Sequence, residues 1–514
     1  MRLIRMLMLG LCVALWGTGC SNDDNGGDGG GDGGGGNAPS AGTARLRVVH
    51  AAPDAPAVDI YAEGQSTPLF SNAAYTQTTA YRDVNAGTYT LQVRPAGAAA
   101  TSAPVYTLGP VTLARDTQVT AVAAGLLASQ AAEDRFRILL LQEGFTQPGA
   151  SEVRARVVHA GADAPDVGID VGDDDSVELP SLARFADSGA AGVALPAGQA
   201  LQVGIVTTGA GAKRVTGFTT PALPGGASLF VIATGLLAHE GDAPDGFGLL
   251  AVGPQGTVGL LRQNPVVYVL HAGPDAPAVD VFSGTKIVSN LAFGELSDGL
   301  QVPPDTYGVE VFPAHAGSDR PSGEPAASAS LTLEAGESYL VSAAGFVTNV
   351  GGARQPLALH TFAADFANPA AGTARVRLLH QSPDAPAVDV GTVTGGQLDT
   401  PPAFANIAYP NASAPEGAAL PATPLTVGVA AAGTRTPVAT FDATPTAGAR
   451  VFAVAAGALQ PQRGEEGFRA LLVLANPTPG IDPWQVGEAT PASVRPARLS
   501  RAAPANVPRY LAAP

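Results

Sequence analysis

Residues 45–59 read RLRVVHAAPDAPAVD. Side chains along a strand point alternately to its two faces, so Leu46, Val48 and His50 share an apolar face and Arg45 and Arg47 the other. The next residues, Pro53 to Pro56, are turn formers. Asp54 can accept backbone N–H bonds, and Pro56 fixes the following φ. Val58 and Asp59 then open a second strand. The stretch therefore predicts strand, turn, strand, with an imidazole at the end of the first strand on its core side.

The same stretch returns three times. Residues 154–168 read RARVVHAGADAPDVG, residues 266–280 VVYVLHAGPDAPAVD, and residues 375–389 RVRLLHQSPDAPAVD. His50, His159, His271 and His380, four of the seven histidines, hold this one position. Each copy is followed by a mid-unit line, such as 87–93 GTYTLQV, and a later one, such as 119–125 VTAVAAG. These segments are short, rich in β-formers and bounded by Gly, Pro and Asp. About seven such strands in roughly 105 residues predict a small β-sandwich, immunoglobulin-like or transthyretin-like. A propeller blade, at about 40–45 residues, is too small for one unit. The chain is thus expected to be all-β, with sandwich repeats over 43–147, 151–262, 265–367 and 372–476. The junctions are short, which puts neighbours in contact as compact bricks in series. Residues 477–514 form a Pro/Arg-rich tail with no acid after Glu488. It reads as extended, with folding back onto the acidic body as the alternative.

Composition narrows the class. The net charge of −16 repels phosphate backbones and speaks against nucleic-acid binding. Gly (63) and Pro (44) make up about a fifth of the 514 residues, short of the roughly 25–30% of a low-complexity chain. Residues 1–19 read as a signal peptide: Arg2 and Arg5, then an apolar run from Met6 to Trp16, too short for the roughly 20 residues of a membrane span. The run ends in Gly17-Thr18-Gly19-Cys20, which resembles the lipobox of bacterial lipoproteins, with Gly17 where Leu is usual. The resemblance implies a diacylglycerol on Cys20 and a membrane partner. Ser21 resembles the outer-membrane form of the sorting signal. Residues 20–42 are then a lipidated Cys and a Gly/Asp-rich tether. With Cys12 removed, the mature chain holds no second thiol for a disulfide.

The run of His, Pro-Asp-Ala-Pro and Val-Asp resembles the signature of a bacterial family known only as domain-of-unknown-function family 4397. Four copies cover most of residues 44–476. The resemblance implies an extracytoplasmic β-sandwich module and no activity. The repeated residues are His50, Asp54, Pro56 and Asp59; His159, Asp163 and Pro165; His271, Asp275, Pro277 and Asp280; His380, Asp384, Pro386 and Asp389. The second unit departs, with Ala162 for the first Pro and Gly168 for the second Asp. The structural reading makes each His a half-buried ring bound to loop backbone or to a carboxylate. Because the first Asp survives in all four units, it is the better candidate if a carboxylate holds the ring.

A metal site would need more ligands than the second unit offers, so no metal and no cofactor is expected. Asp173-Asp174-Asp175 lacks the spacing and Gly of a Ca²⁺ loop. No nucleophile elbow, zincin or phosphate-loop motif occurs, and an enzyme needs one asymmetric constellation rather than four near-equal copies. The expectation is a non-catalytic cell-envelope lipoprotein, outer-membrane-anchored, displaying its modules as a surface spacer or adhesin-like scaffold for a protein or extracellular polymer. The alternative is a sugar- or divalent-metal-binding protein using the His-Asp loops. Aromatics at 6% argue against a dedicated lectin.

Overall fold

The computed structural model describes residues 42–492, apart from 175, 210–211, 349, 351–353, 479 and 481. The signal peptide, Cys20, nearly all of the tether, Asp175 and the last 22 residues of the tail lie outside the described residues.

In the first unit β1 (Thr43–His50), β4 (Arg82–Asn85), β7 (Gln118–Ala124) and β8 (Arg137–Gln142) form one sheet in the order β4-β1-β7-β8. The strands β2 (Val58–Ala62), β3 (Phe70–Ala73), β5 (Gly87–Pro95) and β6 (Tyr106–Leu113) form a second, β3-β2-β5-β6. There are eight strands where seven were expected. All pairings are antiparallel except β1 with β7. An immunoglobulin domain keeps its first two strands in one sheet. Here they lie in opposite sheets, leaving the transthyretin-like arrangement.

The inner faces interdigitate. Leu46 and Val48 from β1 meet Val58 and Ile60 from β2 and Val93 from β5 in one core. The arrangement recurs, with the parallel pair made by Glu152–His159 and Ser228–Thr234, by Val266–His271 and Ser338–Ala344, and by Thr373–Gln381 and Arg450–Ala456. A glycine closes each second strand of that pair. Gly125, Gly235, Gly345 and Gly457 have φ of +78°, +85°, +119° and +85°. A Cβ there would meet a backbone carbonyl oxygen at 2.2–2.4 Å.

The bricks are not simply strung in series. The face of β1 opposite the core packs against the equivalent face of the second unit. Val49, Val122 and Leu141 meet Val158, Phe230, Ile232, Leu250 and Val252 in one cluster. Seven of these eight are completely buried. At roughly 1.5–3 kcal/mol for each large apolar side chain, this face contributes on the order of 10 kcal/mol. The third and fourth units pack likewise, through Leu270, Leu340 and Phe362 against Leu379, Phe452, Val454 and Val473.

Arg47, expected on the polar face, latches this interface, as do Arg156 and Arg377 at the same position of their units; the third unit has Tyr268 there. Arg47 Nη1 donates to the Gly253 carbonyl (2.7 Å) and Arg156 Nη1 to the Gln142 carbonyl (2.7 Å), each the last residue of the strand that follows the positive-φ glycine in the other unit. The two bonds are reciprocal, as in an isologous dimer. Arg377 makes the same bond to the Ala363 carbonyl.

The tail is corrected in part. Residues up to 492 do not run free. Gln485–Glu488 adds a fifth strand to Arg469–Leu474, and Thr490–Pro491 pairs with Ala439–Ala443. The fifth strand matches Gly256–Arg262 in the second unit, paired with Gly248–Gly253. Each two-unit pair thus ends on an added edge strand.

Candidate functional site

Each motif histidine ends its strand on the core face and is buried. Its Nε2 faces the carbonyl of the motif's second proline: His50 to Pro56 at 3.1 Å, His159 to Pro165 at 2.8 Å, His271 to Pro277 at 3.0 Å and His380 to Pro386 at 3.0 Å. A carbonyl only accepts, so Nε2 carries the proton and donates. In two units Nδ1 accepts in turn, from the Ala52 and Gly273 amides. Burial pushes all four rings below the usual imidazole range. They are neutral clips between a strand end and its turn. Of the two partners expected for the ring, loop backbone is the one found: the turn's own carbonyl holds Nε2, and the first Asp does not.

The first Asp reaches elsewhere. Asp54 takes the amides of Leu127 and Ala128, both at 2.8 Å. Asp163 takes Leu237 and Ala238, Asp275 takes Val347 and Thr348, and Asp384 takes Leu459 and Gln460. Each pair of amides follows the positive-φ glycine, so one carboxylate ties the first turn of the unit to its penultimate loop more than 70 residues on. Pro56 and its counterparts supply the carbonyl and the rigid φ that aim this turn.

The second Asp ties the other sheet. Asp59 accepts from Asn72 (2.7 Å) and Gly97 (3.0 Å), and Asp389 from Asn406 (2.7 Å) and Gly433 (2.8 Å). Asp280 accepts from Asn290 (2.8 Å), from the His315 amide (3.1 Å) and from Lys286 Nζ (2.7 Å). The three asparagines have φ of 52°, 51° and 54°, a left-handed conformation that Asn tolerates at a bulge. Sequence reasoning passed over them, although an Asn 10–17 residues after each second Asp was a usable signal. In the second unit a Cβ on Gly168 would touch Val177 and Val206 at 3.0 Å. Those valines fill the room an aspartate would take, and Asp170 instead accepts from the Asp174 amide at 3.2 Å.

The motif carboxylates thus spend their lone pairs mainly on fixed amides, and the four Nε2 atoms face backbone carbonyls. Among the described residues a different set converges: one oxygen each of Asp242, Glu337 and Asp365 lies within 4.8 Å of the others. Burial and the neighbouring Asp365 and Asp242 push Glu337 up to about 8. Nearby Glu240, pushed by burial to about 7, bridges Arg450 of the fourth unit at 2.8 Å. No motif marked these residues, because they come from loops of different units. A groove of about 650 Å³ also opens between the third and fourth units, beside Asp384, Pro386, His360 and Tyr409.

Residues 44–170 and 265–391 match the family described as "Domain of unknown function (DUF4397)". Each DUF4397 match begins in the first strand of an odd unit, or one residue before it, and ends within the second strand of the next. The matches therefore share the two-unit period of the packing. Comparison with curated proteins found no match. Among solved structures, the Bacillus anthracis TIE protein is 8% identical, with a TM-score of 0.13, over 78% of this chain and 65% of that one.

Proposed function

We propose that the chain is a non-catalytic cell-envelope lipoprotein, anchored through Cys20 and carrying four DUF4397-type sandwiches as a surface spacer or adhesin-like scaffold for a protein or polymer. The observation that carries this reading is the use of the repeated polar residues. In all four copies the His and first Asp fasten strand to turn and turn to loop. Four copies of a fastening suit rigidity and repeated display. The anchor rests on the lipobox-like residues 17–20 and the apolar run before them.

Two measurements test it. Cys20→Ser should move the protein from the membrane to the soluble fraction; unchanged fractionation removes the anchor. A glycan array and a pull-down with residues 42–514, with and without divalent ions, should show multivalent capture without turnover. A substrate consumed by this fragment would overturn the non-catalytic reading.

A further inference from the structure

The two pairs of units are latched differently. In the first pair the latch is reciprocal, Arg47 to the Gly253 carbonyl and Arg156 to the Gln142 carbonyl. In the second pair only one half remains, Arg377 to the Ala363 carbonyl. The position that should supply the other half holds Tyr268, which is buried and has no guanidinium to reach the end of Arg469–Leu474. Trp484 occupies that place. Its ring stacks on Tyr268 with centroids 4.6 Å apart and planes 5° apart. Its amide donates to Tyr268 Oη (3.2 Å), and its Nε1 to the Asn476 carbonyl (2.9 Å). It also packs on Phe452 of the fourth unit. Just after this contact the chain pairs at two sheet edges, Gln485–Glu488 on one sheet and Thr490–Pro491 on the other.

We propose that residues 482–492 are a C-terminal clasp. They take the place of the missing arginine latch, so that displacing this segment opens the interface between the third and fourth units and leaves the first pair shut. The inference does not depend on the scaffold reading. The clasp is one ring and two short edge pairings, whereas the first pair is latched by two arginines.

Hydrogen exchange on the full mature chain tests this. Trp484→Ala should speed exchange in 266–271 and 450–456 by roughly a hundredfold, as expected for loss of a buried Trp, while 45–50 and 154–159 keep their rates. Tyr268→Arg added to Trp484→Ala should restore most of the protection by rebuilding the reciprocal latch. Trp484→Phe keeps a stacking ring and should show the same local pattern more weakly; it serves if the alanine variant does not fold. Unchanged exchange in both Trp484 variants, an equal rise in both pairs, or no recovery with Tyr268→Arg would each overturn the clasp.

Discussion

The buried imidazoles give the protein a defined response to acid. Each ring's folded pKa lies below its unfolded value because burial disfavours the cation. The unfolded chain therefore takes up protons first. The contribution is fully present above the unfolded pKa of about 6.5 and is lost as pH falls from there toward the folded values. Glu337 has the opposite sign. Its folded pKa of about 8 lies above the unfolded carboxyl, so it costs stability as pH rises from the ordinary carboxyl range through 8. We expect urea midpoints to fall on both sides of a maximum near neutral pH. Replacing Glu337 with Gln should flatten the alkaline side alone, and an alkaline side that stays as steep would show that this carboxyl does not set it.

At the level of the element, β1 explains what a period of two can and cannot reveal. Leu46, Val48 and His50 lie inside, as their alternation predicts. Arg47, predicted on the polar face, is just as buried. Its Nε donates to Thr120, its Nη1 to Gly253, and Glu143 lies 3.5 Å from Nη2. A strand central in a sheet and covered on both faces often reads as a continuous apolar run. Arg47 hid that here, because its charge is met by Glu143 and its Nη1 by a carbonyl of the second unit, both far along the chain. Truncating one partner of a buried ionic network costs about 3–5 kcal/mol. Arg47→Ala should lower stability by that amount, measured by urea denaturation. A loss below about 1 kcal/mol would mean the guanidinium is solvated and the latch does not hold. The three Asp-bound asparagines lie at variable distances from their Asp, 13, 10 and 17 residues on, so the signal they give is an Asn in a window and not a fixed spacing.

Across the whole molecule, the pair is the natural unit of stability. Each apolar cluster among the described residues lies within one unit or across one pair, and none joins the two pairs. Contacts across the middle include Arg450 with Glu240 and Gln301 with Thr216 and Asn264, all polar. A fragment of residues 42–262 should accordingly be a folded monomer by size-exclusion chromatography. Residues 42–147 alone would expose Val49, Val122 and Leu141 and should self-associate or bind a hydrophobic dye. A monomeric, dye-silent single unit would show that pairing is incidental.

The recurrence of one line of sequence was enough to determine the sandwich, its fourfold repetition, the core side of the histidine and the turn after it. All of these are written in contacts between residues close in the chain or in a two-residue period. The choice of partners was not. Which faces of neighbouring units meet, which carbonyl an arginine finds more than 200 residues away, and whether the tail closes over Tyr268 depend on shape complementarity between surfaces that exist only once each unit has folded.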